Sequence, residues 1–376
     1  MSPPENSPGA VTMREVAQAS GVSVSAVSLA MKNSAKVSPG KRAEILRVAE
    51  RLGYRRDPRI TELMEHLRTS RARRAPSHLA VLIPELTREE VRHNPRFLAL
   101  IAGIREVAGL GGYAVDLFYL ADPGMTPRRI RSILVARGIK GVVVAPFNSG
   151  AARLDFDFTG LCASTAGYSI VEPRLHRACP DYLQMMDELI EDCVRHGYRR
   201  IGLVMTYTEG GIGHKLFTSS FLYYQSLIPE ARRVPVLPKP EISPANLSAW
   251  LDRHKPDVVV SAGSVYRMLL ALGRKIPRDL GFASIDISEE PVNAAGADHR
   301  HTLVGREAAK LVLSSLGLNL TGVPPNPKVV LADSHQHAGF TLRPQTAAAR
   351  RAVAGRKRET PAPAAAIVPD FHEYFA

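Results

Sequence analysis

The sequence lacks the features of a membrane-spanning or secreted protein. None of its 376 residues lie in an uncharged apolar run of 18, the length that a membrane helix needs. The first ten residues, MSPPENSPGA, have neither the basic stretch nor the apolar core of a secretory signal. Three cysteines (Cys162, Cys179 and Cys193) occur without CxxC spacing, which favours free buried thiols over a disulfide or a metal site. We therefore expect a cytoplasmic protein with no membrane partner.

Signatures of catalysis and of cofactor binding are also missing. No Ser-His-Asp order or carboxylate pair stands out, and the stretch from Glu209 to Lys215 is too short between its glycines for a phosphate loop. The stretches DHRH (298–301) and DSHQH (333–337) place histidines at alternate positions, but spacing fixes no third ligand for a metal. We expect exposed polar histidines there. The sequence therefore predicts no enzyme, no cofactor and no metal.

Positive charge is unevenly distributed along the chain. The formal net charge is +13, and residues 1–75 hold 14 Lys and Arg against 7 Asp and Glu. Such a basic segment is either a solvated face or an electrostatic footprint for phosphates. The local helix pattern decides between the two.

Two short helices around a turn are predicted inside this basic segment. VTMREVAQAS opens on a capping box of Thr12 and Glu15, and Gly21 and Ser23 punctuate the turn before GVSVSAVSLAMKNSA. A third helix begins at Ser38-Pro39 and ends at Gly53. Two short helices joined by a glycine-containing turn predict a helix-turn-helix, so the basic charge fits DNA binding.

The second helix of this pair has little polar chemistry with which to bind base edges. Its first two turns carry no Arg, Lys, Asn or Gln, the usual readers of bases. Val27, Ala30 and Met31 are spaced to bury one face. The opposite face carries Ser25, Leu29, Lys32 and Asn33.

The 46 residues VTMREVAQASGVSVSAVSLAMKNSAKVSPGKRAEILRVAERLGYRR resemble the N-terminal domain of the LacI/GalR transcriptional regulators. The resemblance includes two Val-Ser pairs in the second helix segment, the Val37-Ser38 helix start and the terminal Leu-Gly-Tyr. It implies that the second helix lies in the major groove, with base contacts from Val24, Ser25 and Leu29. It also implies phosphate contacts, which together with the local charge fall on Thr12, Ser28, Lys32, Asn33, Lys36 and Lys41.

Leu29 departs from the family pattern, which most often has Arg at this place. Short apolar side chains can contact the methyl group of thymine, and Ser can pair with several bases. The alternative is that Leu29 packs against a neighbouring element and contacts no base.

The stretch RDPRITELMEHLRTSRARRAPS resembles the family's hinge, which orders on operator DNA and inserts a leucine into the minor groove. This linker is about four residues longer than usual when aligned from Tyr54. Either Leu67 or Leu63 then matches the inserted leucine. Their spacing also permits packing against a second copy of the chain.

From His78 onward, short apolar runs alternate with helical stretches. Buried parallel strands are predicted for the apolar runs LAVLI (79–83), GVVVA (141–145), IGLVM (201–205) and VVVS (258–261). Such alternation predicts two doubly wound α/β lobes with a cleft between them. HGYRRIGLV and the segment from KPDVVVSAG to LGFASID resemble the effector domain of the same family, an architecture like that of periplasmic sugar-binding proteins.

The effector positions of the family carry over only in part. Asp286 occupies the place of an aspartate that accepts ligand hydroxyls, whereas Gly263 stands where the family has Asn and Phe217 where it has Arg. Phe147 and Tyr207 follow strand ends, so we expect them to line the cleft. For each aromatic residue, packing in the core or between lobes is the alternative.

The sequence thus predicts an all-α helix-turn-helix head joined to a pair of α/β lobes. The predicted ranges are a flexible N-terminus (1–10), the head (11–56), the hinge (57–77), the effector-binding body (78–342) and a disordered basic tail (343–376). The expected function is that of a homodimeric repressor whose affinity for double-stranded operator DNA depends on a small-molecule effector. The alternatives are a solute-binding protein with a vestigial head and an architectural DNA binder with an unused cleft.

Overall fold

The computed structural model describes residues 13–31, 34, 36–54, 77–147, 150, 152–206, 211–288 and 293–356. The head is a bundle of α1 (Met13–Ala19), α2 (Val24–Met31) and α3 (Pro39–Arg51). Ser23 Oγ accepts a hydrogen bond from Ala26 N at 3.2 Å and Ser38 Oγ accepts one from Lys41 N at 3.4 Å. The two serines therefore cap α2 and α3 as the sequence predicts.

The body consists of alternating strands and helices. Its helices are α4 (Arg88–Arg92), α5 (Pro95–Leu110), α6 (Pro127–Ala136), α7 (Tyr182–Arg195), α8 (Ile212–Leu227), α9 (Pro244–His254), α10 (Gly263–Ala271), α11 (His301–Leu318) and α12 (Ala347–Arg356). Its strands are β1 (Ser77–Ile83), β2 (Tyr113–Tyr119), β3 (Gly141–Val144), β4 (Ala152–Arg153), β5 (Cys162–Ala166), β6 (Ile170–Glu172), β7 (His176–Pro180), β8 (Ile201–Met205), β9 (Leu237–Pro238), β10 (Val258–Ser261), β11 (Gly281–Ser284), β12 (Gly296–Asp298), β13 (Val329–Ala332) and β14 (His335–His337).

Lobe 1 is built on a parallel sheet of order β13-β7-β5-β3-β1-β2. Alternate residues of a strand face opposite sides of a sheet. Leu79, Val81 and Ile83 of β1 accordingly join the core under α5 and α11, while Ala80 and Leu82 join the core under α6. Helices on both faces explain why residues 79–83 of β1 and all of β3 are apolar.

Lobe 2 repeats this plan with the strand order β14-β12-β11-β10-β8-β9. Its pairs are parallel except for β12 with β14, which run antiparallel. Residues of α7 and α8 bury one face of the sheet, and residues of α9 and α10 bury the other. The doubly wound two-lobe fold predicted from the sequence is therefore confirmed.

The chain crosses between the lobes at three places within the described residues. It enters lobe 2 between β7 and α7, returns to lobe 1 between β12 and α11, and enters lobe 2 again between β13 and β14. In the second crossing Arg300 has a left-handed φ of 49°, and its N–H donates to Asp298 Oδ1 at 2.7 Å. A left-handed backbone is costly for a residue with a side chain, so this crossing is held in a defined bend.

Two glycines let α5 and α11 approach each other closely in lobe 1. A Cβ added at Gly103 would collide with the backbone carbonyl of Thr302, and one added at Gly305 would collide with that of Leu100. Both positions are buried in the helix interface. The start of α11, which follows the second crossing, is thereby fixed against α5.

Residues 343–356 differ from the predicted disordered tail. Arg343 N donates to Tyr198 Oη at 3.2 Å, Gln345 N donates to the His196 carbonyl at 2.8 Å, and Ala349 of α12 is buried. Lobe 2 therefore provides acceptors and apolar contacts that composition alone does not reveal. The hinge residues 57–76, the N-terminal ten residues and the tail beyond 356 lie outside the described residues.

Candidate nucleic-acid interface and candidate ligand cleft

The head is held together by a small apolar core shared by its three helices. Its buried members are Val16, Ala17, Val27, Ala30, Val37, Ile45 and Ala49. Gly21 adopts a left-handed φ of 63° in the turn between α1 and α2, which glycine does without a steric cost. The turn and the core together fix the angle at which α2 is presented.

The first turn of α2 faces solvent. Val24 is 44% exposed, Ser25 is exposed and Ser28 is half-buried. These side chains are therefore available to a surface that contacts the outer face of α2. No acidic side chain lies in the first turn, so nothing there repels a phosphate backbone.

Leu29 is half-buried and packs against the core of the head. This contact agrees with the packing alternative for Leu29. Arg42 also faces inward, because its Nη2 donates to the carbonyls of Ser34 at 2.6 Å and Val37 at 3.1 Å. The guanidinium thus secures the loop between α2 and α3.

Two predicted phosphate contacts lie in the described part of α3 and of the loop before it. Lys36 is exposed, whereas Lys41 forms an ion pair with Glu44 at 2.8 Å. The other predicted DNA contacts, Thr12, Lys32, Asn33, Leu63 and Leu67, lie outside the described residues.

Asp286 lies two residues beyond the carboxyl end of β11, where ligands bind in parallel α/β sheets. It is 2% exposed, and its Oδ1 accepts hydrogen bonds from Ser288 N at 2.9 Å and Ser288 Oγ at 2.6 Å. Its Oδ2 faces His301 Nε2 at 3.4 Å, His299 Nδ1 at 3.7 Å and Arg96 Nη1 at 3.9 Å.

The cluster draws on both lobes. Asp286 belongs to lobe 2, Arg96 to α5 of lobe 1, and His299 and His301 to the crossing between them. The Asp286 carboxylate therefore links the two lobes beside the crossing from β12 to α11.

The electrostatics favour an ionised Asp286. Burial alone raises the pKa of the Asp286 carboxyl, but the adjacent His299 and His301 and the hydrogen bond from Ser288 lower the pKa well below its ordinary value. Burial lowers the pKa of His299 despite the opposing effect of Asp286. His299 donates from Nε2 to the Ile285 carbonyl at 2.7 Å, which fixes the orientation of the ring.

The other predicted cleft residues take different positions. Phe147 is half-buried against the lobe 1 core, and its N–H donates to Ser169 Oγ at 2.8 Å. Phe217 is fully buried in the lobe 2 core with its ring centroid 5.0 Å from that of Tyr182, so its expected role in lining the cleft is wrong. Gly263 is buried at the start of α10, and Tyr207 lies outside the described residues.

The expectation of exposed histidines holds for His335 and His337 but not for the DHRH stretch. His299 is 3% exposed and His301 is half-buried, because the crossing brings both to Asp286. In the sequence, only the alternate spacing of His299 and His301 indicated that the two imidazoles could face one group. The sequence did not reveal that the loop after β11 lies beside them.

Comparison with known proteins gives an independent view of the chain. Residues 12–57 match the family described as "Bacterial regulatory proteins, lacI family". The chain is 27% identical to the maltose regulon regulatory protein MalI of Escherichia coli K12 over 197 residues, which is 51% of this chain and 52% of MalI. It is 22% identical to the sucrose operon repressor of Shigella flexneri over 342 residues, which is 83% of this chain and 97% of that protein.

Solved structures share the fold. A regulator of the LacI family from Rhizobium etli matches with a TM-score of 0.54 and 18% identity over 71% of this chain and 99% of its own. The transcriptional regulator CelR in complex with cellobiose matches with a TM-score of 0.51 and 18% identity over 88% of this chain and 99% of its own. The helix-turn-helix head therefore matches the lacI family of bacterial regulatory proteins, and the two-lobed α/β body shares the fold of these solved regulators.

The described residues include no helix that is long and apolar enough to cross a membrane.

Proposed function

We propose that the chain is a sequence-specific transcriptional repressor that binds operator DNA as a homodimer and responds to a small molecule held between its lobes. The observation that carries the proposal is the solvent-facing first turn of α2 in a head that matches the lacI family. A dimer with two-fold symmetry matches two half-sites of a pseudo-palindromic operator.

Base recognition is assigned to the outer face of α2. Val24 offers an apolar contact for the thymine methyl group, and the Ser25 hydroxyl can donate to or accept from a base edge. Leu29 packs partly against the core of the head, so only its exposed atoms can reach the groove. Its contribution to base recognition is therefore small. This division assigns the main discrimination to Val24 and Ser25.

Phosphate contacts provide the affinity that does not depend on sequence. Exposed Lys36 is the described side chain best placed for this role, and Lys41 contributes less because Glu44 neutralises it. Thr12, Ser28, Lys32 and Asn33 complete the proposed set from the family resemblance. Leu67, or Leu63, is proposed as the leucine that enters the minor groove.

The effector is proposed to be a sugar or a related metabolite. MalI, the sucrose operon repressor and the cellobiose complex of CelR are named for maltose, sucrose and cellobiose. Asp286 accepts hydrogen bonds, as a ligand hydroxyl requires, and lies where the lobes meet. A ligand that binds one arrangement of the lobes better than another increases the population of that arrangement. When DNA also binds the two arrangements with different affinity, ligand and DNA change each other's affinity by the same coupling free energy.

A gel shift with the full-length chain tests DNA binding. We expect DNA from upstream of its own gene to bind more tightly than a scrambled duplex of equal length at matched salt. We also expect log affinity to fall steeply with log salt, which argues against a vestigial head. Equal affinity for both duplexes contradicts the specific-regulator proposal.

Thermal unfolding with a panel of sugars, sugar acids and nucleosides tests the effector. A bound ligand raises the melting temperature with its concentration and changes the gel shift. If no compound shifts the melting temperature while specific DNA binding persists, the architectural alternative with an unused cleft is favoured.

A further inference from the structure

The side chains of Asp286, His299 and His301 form a compact set of metal-type ligands. One ligand atom from each residue lies within 4.8 Å of the other two. Asp286 Oδ2 is 3.4 Å from His301 Nε2 and 3.7 Å from His299 Nδ1. Zinc–ligand bonds of about 2.0–2.2 Å place neighbouring ligand atoms of a tetrahedral ion roughly 3.3–3.6 Å apart. The set is therefore close to the size of a coordination shell.

The surrounding hydrogen bonds orient two of these ligands. The 97% buried His299 donates from Nε2 to the Ile285 carbonyl at 2.7 Å, and its Nδ1 faces Asp286 Oδ2 at 3.7 Å. Metal-binding histidines commonly use their second nitrogen in this way. Ser288 occupies Oδ1 of Asp286 through its N–H and its hydroxyl, so Oδ2 remains to face the two imidazoles.

His299 Nδ1 and Asp286 Oδ2 face each other at 3.7 Å, and a cation placed between them can be bound by both atoms. The guanidinium of Arg96 also faces Asp286 Oδ2, at 3.9 Å, and the Arg96 side chain is 30% exposed. The long arginine side chain can withdraw toward solvent, so it competes with an ion without blocking the position.

We propose that Asp286, His299 and His301 bind a divalent transition-metal ion, with Zn²⁺ as the best fit, at the crossing between the lobes. Two imidazoles and one carboxylate suit such an ion and leave one coordination position for a ligand oxygen. The metal site does not depend on the proposed function, although the role of the open position rests on the cleft being the effector site.

Isothermal titration of the full-length chain tests the site with Zn²⁺ alone. The chain is first treated with EDTA and exchanged into a buffer that does not bind metal. We expect one ion per chain, and Co²⁺ in its place should give the visible absorption bands of a site with nitrogen and oxygen ligands. Absence of stoichiometric Zn²⁺ binding to the wild-type chain overturns the proposal without requiring any variant to fold.

Two sets of substitutions locate the ion. His301→Gln removes a half-buried ligand and should weaken Zn²⁺ binding at least ~100-fold, since loss of a supporting residue alone costs 10–100-fold. The matched control is His335→Gln with His337→Gln, which removes two exposed histidines of β14 and should leave Zn²⁺ affinity unchanged. Unchanged affinity in His301→Gln, or loss of binding in the control, places the ion elsewhere and overturns the proposal.

DNA binding by the same proteins separates this inference from the proposed function. His301→Gln should retain the circular dichroism of the wild type and the preference for the upstream duplex in the absence of metal. Specific DNA binding without Zn²⁺ binding refutes only the metal site, whereas Zn²⁺ binding without DNA specificity refutes only the regulator.

Discussion

In the head, Val24 and Ser25 face solvent on α2, whereas in the body the polar groups of Asp286 and His299 are almost completely buried. The side chains proposed to contact DNA are thus exposed on a head with a small core. The cleft has charge and hydrogen bonds arranged before a ligand arrives. A change on the outer face of α2 should therefore affect DNA binding without destabilising the head, while a change at the buried polar groups of the body should affect stability and ligand response.

The largest expected effect comes from the small core of the head. Ile45 of α3 is fully buried, and Ile45→Ala should lower the free energy of unfolding of the head by about 2–5 kcal/mol. A domain of this size has little stability in reserve, so DNA binding should be lost. Gel shift and limited proteolysis of the full-length chain measure both.

Leu46→Ala is the matched control for this substitution. Leu46 is the adjacent residue of α3 and is 43% exposed, so the smaller side chain should leave the head folded. The body should melt at the wild-type temperature in both variants. Equal loss of DNA binding in both would show that burial does not decide the effect.

The next largest effect is expected where α5 and α11 meet. Gly305→Ala should lower the free energy of unfolding of the body by about 1–3 kcal/mol, because the added methyl group collides with the Leu100 backbone. Gly317→Ala is the control in the same helix, with no atom near the added methyl group, and should stabilise by about 0.5–1 kcal/mol. The free energy of unfolding of each variant is measured in denaturant. A change of the same sign and size in both variants would contradict this expectation.

A smaller effect separates base reading from phosphate binding in the head. Ser25→Ala should reduce discrimination between operator and scrambled duplex by about 0.5–1.5 kcal/mol, the contribution of one hydrogen bond. Lys36→Ala should weaken binding to both duplexes alike and reduce the salt slope by about one. Competition gel shifts at several salt concentrations measure both quantities, and a uniform loss in Ser25→Ala would refute its role in base reading.

The smallest effect concerns the three thiols of the body. Burial raises the pKa of Cys162 to about 11 and that of Cys179 to about 12, and it raises the pKa of Cys193 well above its ordinary value. Thiolates form only as the pH rises through these values, so at pH 8 roughly one Cys162 in a thousand is reactive. A thiol reagent should label all three cysteines in denaturant and none in the native chain. Rapid native labelling of any one would contradict this expectation.

The predictions succeeded where local chemistry determines structure. Capping serines and alternating apolar runs located α2, α3, β1, β8 and β10, and the two-lobe fold followed from their order. The patterns did not predict β5, whose sequence CASTA lacks a β-branched run. Its place depends on neighbours, since Ser164 Oγ donates to the Ala308 carbonyl at 2.8 Å and Thr165 Oγ1 to the Val144 carbonyl at 3.1 Å.

The candidate cleft was only partly predictable for the same reason. The family resemblance identified Asp286 as a candidate, and the residue lies beyond the carboxyl end of β11, as expected. The contacts of Arg96 and His301 with Asp286 depend on tertiary structure, because they join residues 190 and 15 positions apart in the chain. Phe217 was singled out by its alignment with the family's Arg position, and an alignment does not reveal that the substituted side chain packs in the core of lobe 2.

The glycine contact between α5 and α11 also determines how the lobes can move. With no side chain between the two backbones, α11 packs closely on α5, and we expect it to move together with lobe 1. A change in the angle between the lobes must then be absorbed by the few residues of the crossings. The bend at Arg300 lies between β12 of lobe 2 and α11 of lobe 1, so a rotation of lobe 2 about it would displace Asp286 and His299 relative to His301.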